Sequence, residues 1–416
     1  MRTRHLSRLA TAGITLALSL VPGSAQAYPS TTATSTAAST TDTTSDLRLP
    51  GKAGRLYTAG SEANGQLGDG LPREERQLTY QPLRDIVART ADADIDNHGL
   101  AARRDGTVVA WGDNTDGYVL PGARTTLPSP KVVPGLARIV TVATSRENSY
   151  AIDADGVLWA WGENETGDLG LGDTAPHVTP TPVPGLPPVK SVHVDSFGAT
   201  LLLTQDGRVF GMGDNAYGGL LGPGIGQATS PVEVPMPGRV VSLSNDGVVA
   251  LVALDDGTVW GWGWSHGTTR CLGAGTVSAP TPIKLPVPGV AVAVHTSENA
   301  CFALTRSGRL YSWGRAETLG RPLPDPGAPG AHRPGLVEGL PPVAELDGGS
   351  GIIQARGRDG SLWTWGWGYS GTLGTGTAEN QPLPRRIPLP GRVIGLALGL
   401  NSGGVVVDES KPAPPT

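Results

Sequence analysis

Apolar residues in this chain fall in short runs of five or six, mixing large and small side chains and bounded by glycine. The clearest run, residues 157–161, lies in the stretch DGVLWAWGENETGDLGLG at 155–172. An Asp-Gly pair opens that stretch, Gly162 ends the run, and Gly167, Gly170 and Gly172 punctuate the loop beyond it. An Asp-Gly pair ahead of a short apolar run predicts a hairpin turn feeding a strand. Related stretches recur at 55–70, 105–117, 206–222, 256–275, 307–320 and 359–376. The strand-ending glycines are Gly60, Gly112, Gly162, Gly213, Gly263, Gly314 and Gly366, spaced by 52, 50, 51, 50, 51 and 52 residues. Seven copies at so even a spacing define a repeat architecture.

Each copy continues in the same way. A Gly-rich loop follows the strand, then a Pro-rich connection such as 180–186, then one or two further strands such as 189–194 and 199–203. Three or four short strands in about 51 residues make up one propeller blade. A blade has two apolar faces and buries them only against neighbours. The predicted fold is therefore all-β, a seven-bladed β-propeller. The first copy begins in mid-pattern at Arg55-Leu56-Tyr57, and 393–398 and 404–408 follow the last copy as strands without a successor. These ends complement each other and predict a composite blade, built from both chain ends, that closes the ring and leaves no free edge. A linear solenoid would need capping units, and neither end resembles one.

Composition changes the picture mainly at the termini. Arg2, Arg4 and Arg8, the apolar segment 9–21 and Ala25-Gln26-Ala27 read as a secretion signal over 1–27. Residues 28–50, rich in Ser, Thr, Ala and Asp, read as a disordered linker, because they cannot bury enough apolar surface to offset chain ordering. The propeller then spans 51–409, and 410–416 is a Pro-rich tail. No further apolar run is long enough to span a membrane. The expectation is a secreted monomer, extracellular or associated with the cell wall. Cleavage removes three arginines and no acid, taking the formal charge from −5 to −8. That sign argues against a nucleic-acid partner.

The string WGxNxxGxLGxG preceded by DGxL resembles the repeat of the regulator-of-chromosome-condensation family, over roughly residues 51–409. The resemblance implies a seven-bladed propeller. The family commonly places a histidine eight residues before the glycine of the Asp-Gly turn. Only His98 stands there in this chain; Asn148, Ala199, Val249, Ala300 and Ile352 occupy the other places. The strand tryptophan is replaced by Ala59 and Met212 in two copies. Founding members act in nucleotide exchange on a nuclear GTPase and on chromatin, partners that an exported acidic chain would not meet. AWGxN-like strand ends, as in Ala110-Trp111-Gly112-Asp113-Asn114, are also similar to the propeller-type β-lactamase inhibitory proteins. That second, weaker similarity implies a ring used outside the cell as a protein-binding face.

No catalytic motif emerges. The sequence lacks a nucleophile elbow, an HExxH and a P-loop. Its histidines are scattered singly, without ligand spacing, so no cofactor or metal is expected. Asp168 with Asp173, or Asp113 with Asp116, could lend oxygens to calcium, but neither pair has the density of a calcium loop. Cys271 and Cys301 are the only cysteines, both in one sequence unit. They read as a disulfide, with two buried free thiols as the alternative.

The most informative variation lies just after each strand glycine, where Ser61, Asp113, Glu163, Asp214, Trp264, Arg315 and Trp367 follow one another. Tyr118, Tyr217 and Tyr369 stand in the equivalent loops. The expected binding face is Asp113, Glu163, Asp214, Trp264, Trp367, Tyr118, Tyr217 and Tyr369, acidic on one arc and aromatic on the other. Large aromatics beside polar groups make binding hot spots. They also suit stacking on sugar rings, and the bland alternative is that the tryptophans fold back over the blade edges. The functional expectation is a non-enzymatic platform for an extracellular or envelope protein. Glycan binding through Trp264 and Trp367 is the second reading, and an enzyme with a composite loop site is the third.

Overall fold

The computed structural model describes residues 53–60, 67, 75–80, 85–93 and 98–414. The last stretch has gaps at 123, 146, 195–198, 217–218, 265–270, 274–275, 277, 298–299, 324–329, 350 and 398–401. The expected signal segment and linker, Ser61 and Tyr217 lie outside the described residues.

Among the described residues 28 strands form a seven-bladed β-propeller. Blades 1 to 6 occupy residues 86–132, 139–182, 189–234, 240–285, 291–336 and 343–387. Blade 7 is the composite one: the order is Arg392–Leu396, Ser402–Asp408, Ala53–Gly60, Glu75–Tyr80. Antiparallel pairing from Arg55 with Val407 to Gly60 with Ser402 zips the first strand to the last. Arg55 Nη1 adds an ion pair to Glu409 at 2.7 Å, and the Tyr57 hydroxyl donates to the same carboxylate. Both ends of the propeller are thus held in one sheet, as the incomplete terminal units require. Residues 412–414 fold back, since Arg392 and Arg386 donate to the backbone oxygens of Pro412 and Pro414. Among the described residues no helix is long and apolar enough to cross a membrane.

The core sits between blades. Trp161, Trp262, Trp313 and Trp365 are wholly buried, and each indole N–H donates to a backbone oxygen in the loop of the preceding blade. The acceptors are Val119, Leu220, Cys271 and Thr318, at 2.8–3.1 Å. A buried indole needs such a partner, so each tryptophan fixes the spacing of two blades. Met212 replaces the tryptophan in blade 3. The boundary of blades 2 and 3 is instead bridged by Tyr150, whose hydroxyl donates to the Asp168 backbone oxygen and lies 3.2 Å from Thr200 Oγ1. The last strand of each of blades 1 to 6 contains proline, which blunts an edge that would otherwise pair with another chain.

Cys271 and Cys301 form a disulfide, with Cα atoms 5.8 Å apart. Sequence unit and blade are out of phase, however. Cys271 follows the strand Val259–Trp264 of blade 4, whereas Cys301 lies on Ala300–Thr305 of blade 5. The bridge therefore staples two blades where the sequence placed both cysteines in one unit.

Candidate functional site

The strand-ending glycine positions the residue that comes after it. Gly162, Gly263 and Gly366 have φ of 134°, 108° and 103°, and a Cβ on them would stand 2.0–2.3 Å from the backbone oxygen of Glu147, Val248 or Gly351. Only glycine fits there. The next residue then donates its N–H to that same oxygen: Glu163 to Glu147, Trp264 to Val248 and Trp367 to Gly351, at 2.6–3.2 Å. A rigid backbone clamp thus sets where each variable side chain leaves the sheet.

The loops beyond differ between the arcs. In blades 1 to 3 a buried asparagine, Asn114, Asn164 or Asn215, accepts backbone N–H groups of its own Gly-rich loop and donates back to loop carbonyls. These asparagines do not stand out from the sequence as site residues, although their recurrence two residues after the glycine is a signal for them. Blades 4 to 6 carry residues 265, 316 and 368 at that place, none of them asparagine.

On the first arc the structure brings carboxylates together. Glu163 hydrogen-bonds to Glu147, and its carboxyl is pushed up to about 7 by burial first, then by Glu147, Glu165 and Asp168. Asp168 is pushed up to about 6, mainly by burial, with Asp214 of the next blade adding repulsion. Tyr118 is raised by burial and by Glu163, Asp116 and Glu147. Glu147 is the member that sequence reasoning missed, because it lies in the loop before a different strand. Asp113 accepts the Thr115 N–H at 2.8 Å and lines a small recess with His98, Asp116, Tyr118 and Glu147. His98 is wholly buried beneath it, held neutral by burial with its pKa lowered to about 4, and its Nε2 meets Ser149 Oγ of blade 2 at 2.8 Å. Of the carboxylate pairs weighed for calcium, Asp173 hydrogen-bonds to Asn164 and His177. Among the described residues no three His, Cys, Asp or Glu side chains form a metal-holding group.

The second arc is aromatic and cationic. Trp264 and Tyr369 are exposed, at 38% and 39%. Trp367 is half-buried: its ring lies against Gly351, carries the Arg315 guanidinium 4.7 Å from its centroid, and meets Tyr369 at 6.3 Å. Arg315, the odd residue in the post-glycine series, thereby joins blades 5 and 6 through a cation–π contact.

The repeats within this ring match known ones. The family described as regulator of chromosome condensation (RCC1) repeat matches residues 155–196 and 359–405, and a second profile of the same description matches 96–117. The ring thus carries RCC1-like repeats. Human E3 ubiquitin-protein ligase HERC2 is 27% identical over 374 residues, covering 86% of this chain and 7% of HERC2. The mouse RCC1-like G exchanging factor-like protein is 28% identical over 215 residues, 49% of this chain and 46% of its own. The chain thus spans less than half the length of these relatives. Among solved structures, human WBSCR16 superposes with a TM-score of 0.76 at 20% identity, covering 86% of this chain and 99% of that one. Prp20p of Saccharomyces cerevisiae, described with its binding to Gsp1p and histones, gives 0.74 at 20% identity, covering 87% and 94%. At those identities the likeness concerns the fold.

Glu163 contributes to the pH response of this ring. Its proton is held more tightly folded, at about 7, than unfolded, at the ordinary 4.5. The stabilising contribution is complete below about 4.5 and is lost as pH rises through about 7. Glu163→Gln is therefore expected to gain in melting temperature relative to the parent between pH 4.5 and pH 8. A gap that does not change with pH would mean that the folded ring does not raise the Glu163 carboxyl.

Proposed function

We propose that this chain is an exported, non-enzymatic platform that binds an extracellular or envelope protein through the face built by Asp113, Glu163, Asp214 and Trp264. The observation that carries the reading is a rigid face divided into a carboxylate arc and an aromatic–arginine arc. Repelling carboxylates are relieved by a cationic partner surface, and exposed aromatics supply apolar area. Preformed loops lose little entropy on binding. Relatives such as Prp20p bind proteins, which supports a platform role. The disulfide supports export, because such bonds persist in oxidising compartments. Glycan binding through a Trp264–Trp367 pair is the weaker reading, since the Trp367 ring already packs on Arg315 and Gly351.

The test is capture of secreted and envelope proteins from the source organism on the immobilised protein. One protein recovered saturably is the expected result. Trp264→Ala should weaken it about tenfold or more, as expected at a hot spot. Asp113→Ala with Glu163→Ala should lower the association rate and its salt dependence. Recovery of wall polysaccharide alone would overturn the protein-binding reading.

A further inference from the structure

The opposite ends of the blades, where the Asp-Gly turns lie, carry a second feature. In blade 3 the turn is Asp206-Gly207-Arg208, and Arg208 is neutralised twice, by Asp206 at 2.9 Å and Glu233 at 3.5 Å. Its guanidinium also lies 5.4 Å from the centre of the Phe210 ring. Blade 5 repeats this framework with the acids removed. Ser307 stands in the place of Asp206, and Arg309 in the place of Arg208. Strand register gives the rest: Phe210 pairs with Glu233, whereas Tyr311 pairs with Leu336. Arg309 thus keeps its position while both of its counter-charges are gone.

Two changes add donors at the same turn. Arg306 replaces Gln205, and Tyr311 replaces Phe210. The blade 6 residue Arg358 reaches across and donates to the Arg306 backbone oxygen at 2.7 Å. Among the described residues the side chains of Arg306 and Arg309 make no ion pair or hydrogen bond, nor does the Tyr311 hydroxyl. Both arginines, Tyr311, Val290 and Pro288 line a cleft of about 450 Å³, within the size range of small-molecule sites. Val290 is 41% exposed and supplies an apolar wall.

We propose that this cleft is an anion-binding site, in which Arg306 and Arg309 hold the oxyanion of a small organic phosphate, sulfate or carboxylate. Planar guanidinium groups match such oxyanions with paired hydrogen bonds. The Tyr311 hydroxyl donates a further bond, and the organic portion lies against Val290 and Pro288. The site is independent of the loop face at the other end of the blades.

The probes are phenyl phosphate, phenyl sulfate, benzoate and inorganic phosphate, with benzyl alcohol as the neutral control, titrated by calorimetry or NMR into the full chain. At least one aryl oxyanion is expected to bind with a Kd below about 1 mM and more tightly than inorganic phosphate, while benzyl alcohol does not bind. The order among the three aryl probes tells phosphate, sulfate and carboxylate sources apart. Arg306→Gln combined with Arg309→Gln should weaken binding at least tenfold. Ser307→Asp restores the acid found in blade 3, keeps both arginines, and should weaken binding comparably by pairing with Arg309. Lys284→Gln, at the strand position corresponding to Glu233 one blade away, should change nothing. Absence of saturable binding by every anion, or equal binding by parent, double variant and Ser307→Asp, would overturn the proposal.

Discussion

Replacing Trp262 by alanine is expected to lower the free energy of unfolding by about 3–5 kcal/mol, read as a midpoint shift in urea with the slope unchanged. The indole is fully buried in the cluster between blades 3 and 4, against residues that include Leu201, Leu220 and Leu243. Its N–H also holds the Leu220 backbone oxygen at 2.9 Å. Truncation would open a cavity in a boundary formed by two rigid sheets, which cannot collapse into it without moving the ring. Trp262→Phe, which keeps most of the ring volume, should cost about 1–3 kcal/mol, mainly through the stranded carbonyl. Trp264→Ala, two residues on and largely exposed, should cost under about 1 kcal/mol. A Trp262→Ala loss no larger than that of Trp264→Ala would show that the interblade tryptophans do not carry the ring.

That contrast between Trp262 and Trp264 marks how far the sequence could be read. Blade number and the glycine phase were legible because each depends on residues close together in the repeat. An Asp-Gly turn, an apolar run and a glycine at positive φ leave the same trace in every copy. The odd terminal units left the complementary trace that Ala53–Gly60 and Ser402–Asp408 now explain. Contacts between different strands of a blade and across blade boundaries left no such trace. Glu147 meets Glu163 through a hairpin loop, Arg315 covers the ring of Trp367 in the next blade, and Tyr150 bridges the boundary where Met212 replaces tryptophan. Each pairing depends on how neighbouring strands and blades are registered, which residue spacing alone does not encode. The loop tryptophans, equivalent in sequence, consequently differ in fate: Trp264 stands exposed, while Trp367 packs against Arg315 and Gly351.

The disulfide shows the same offset with an energetic consequence. Removing it by Cys271→Ala with Cys301→Ala is expected to destabilise the ring by about 3.5 kcal/mol, the unfolded-state entropy regained on opening a closed loop of 30 residues. Because the bridge joins blades 4 and 5, the loss should be concentrated at that boundary. Hydrogen exchange of the strands Val259–Trp264 and Ala300–Thr305 should rise more than that of blades 1 and 2. Both sulfur-bearing residues are wholly buried, so a reductant should act slowly in native buffer and quickly once denaturant opens the boundary. The Trp313 indole still donates to the backbone oxygen of residue 271 in the double variant, so blade spacing should survive while its margin falls. If the double variant matches the parent in urea, that indole bond and the apolar contacts around it hold the two blades unaided.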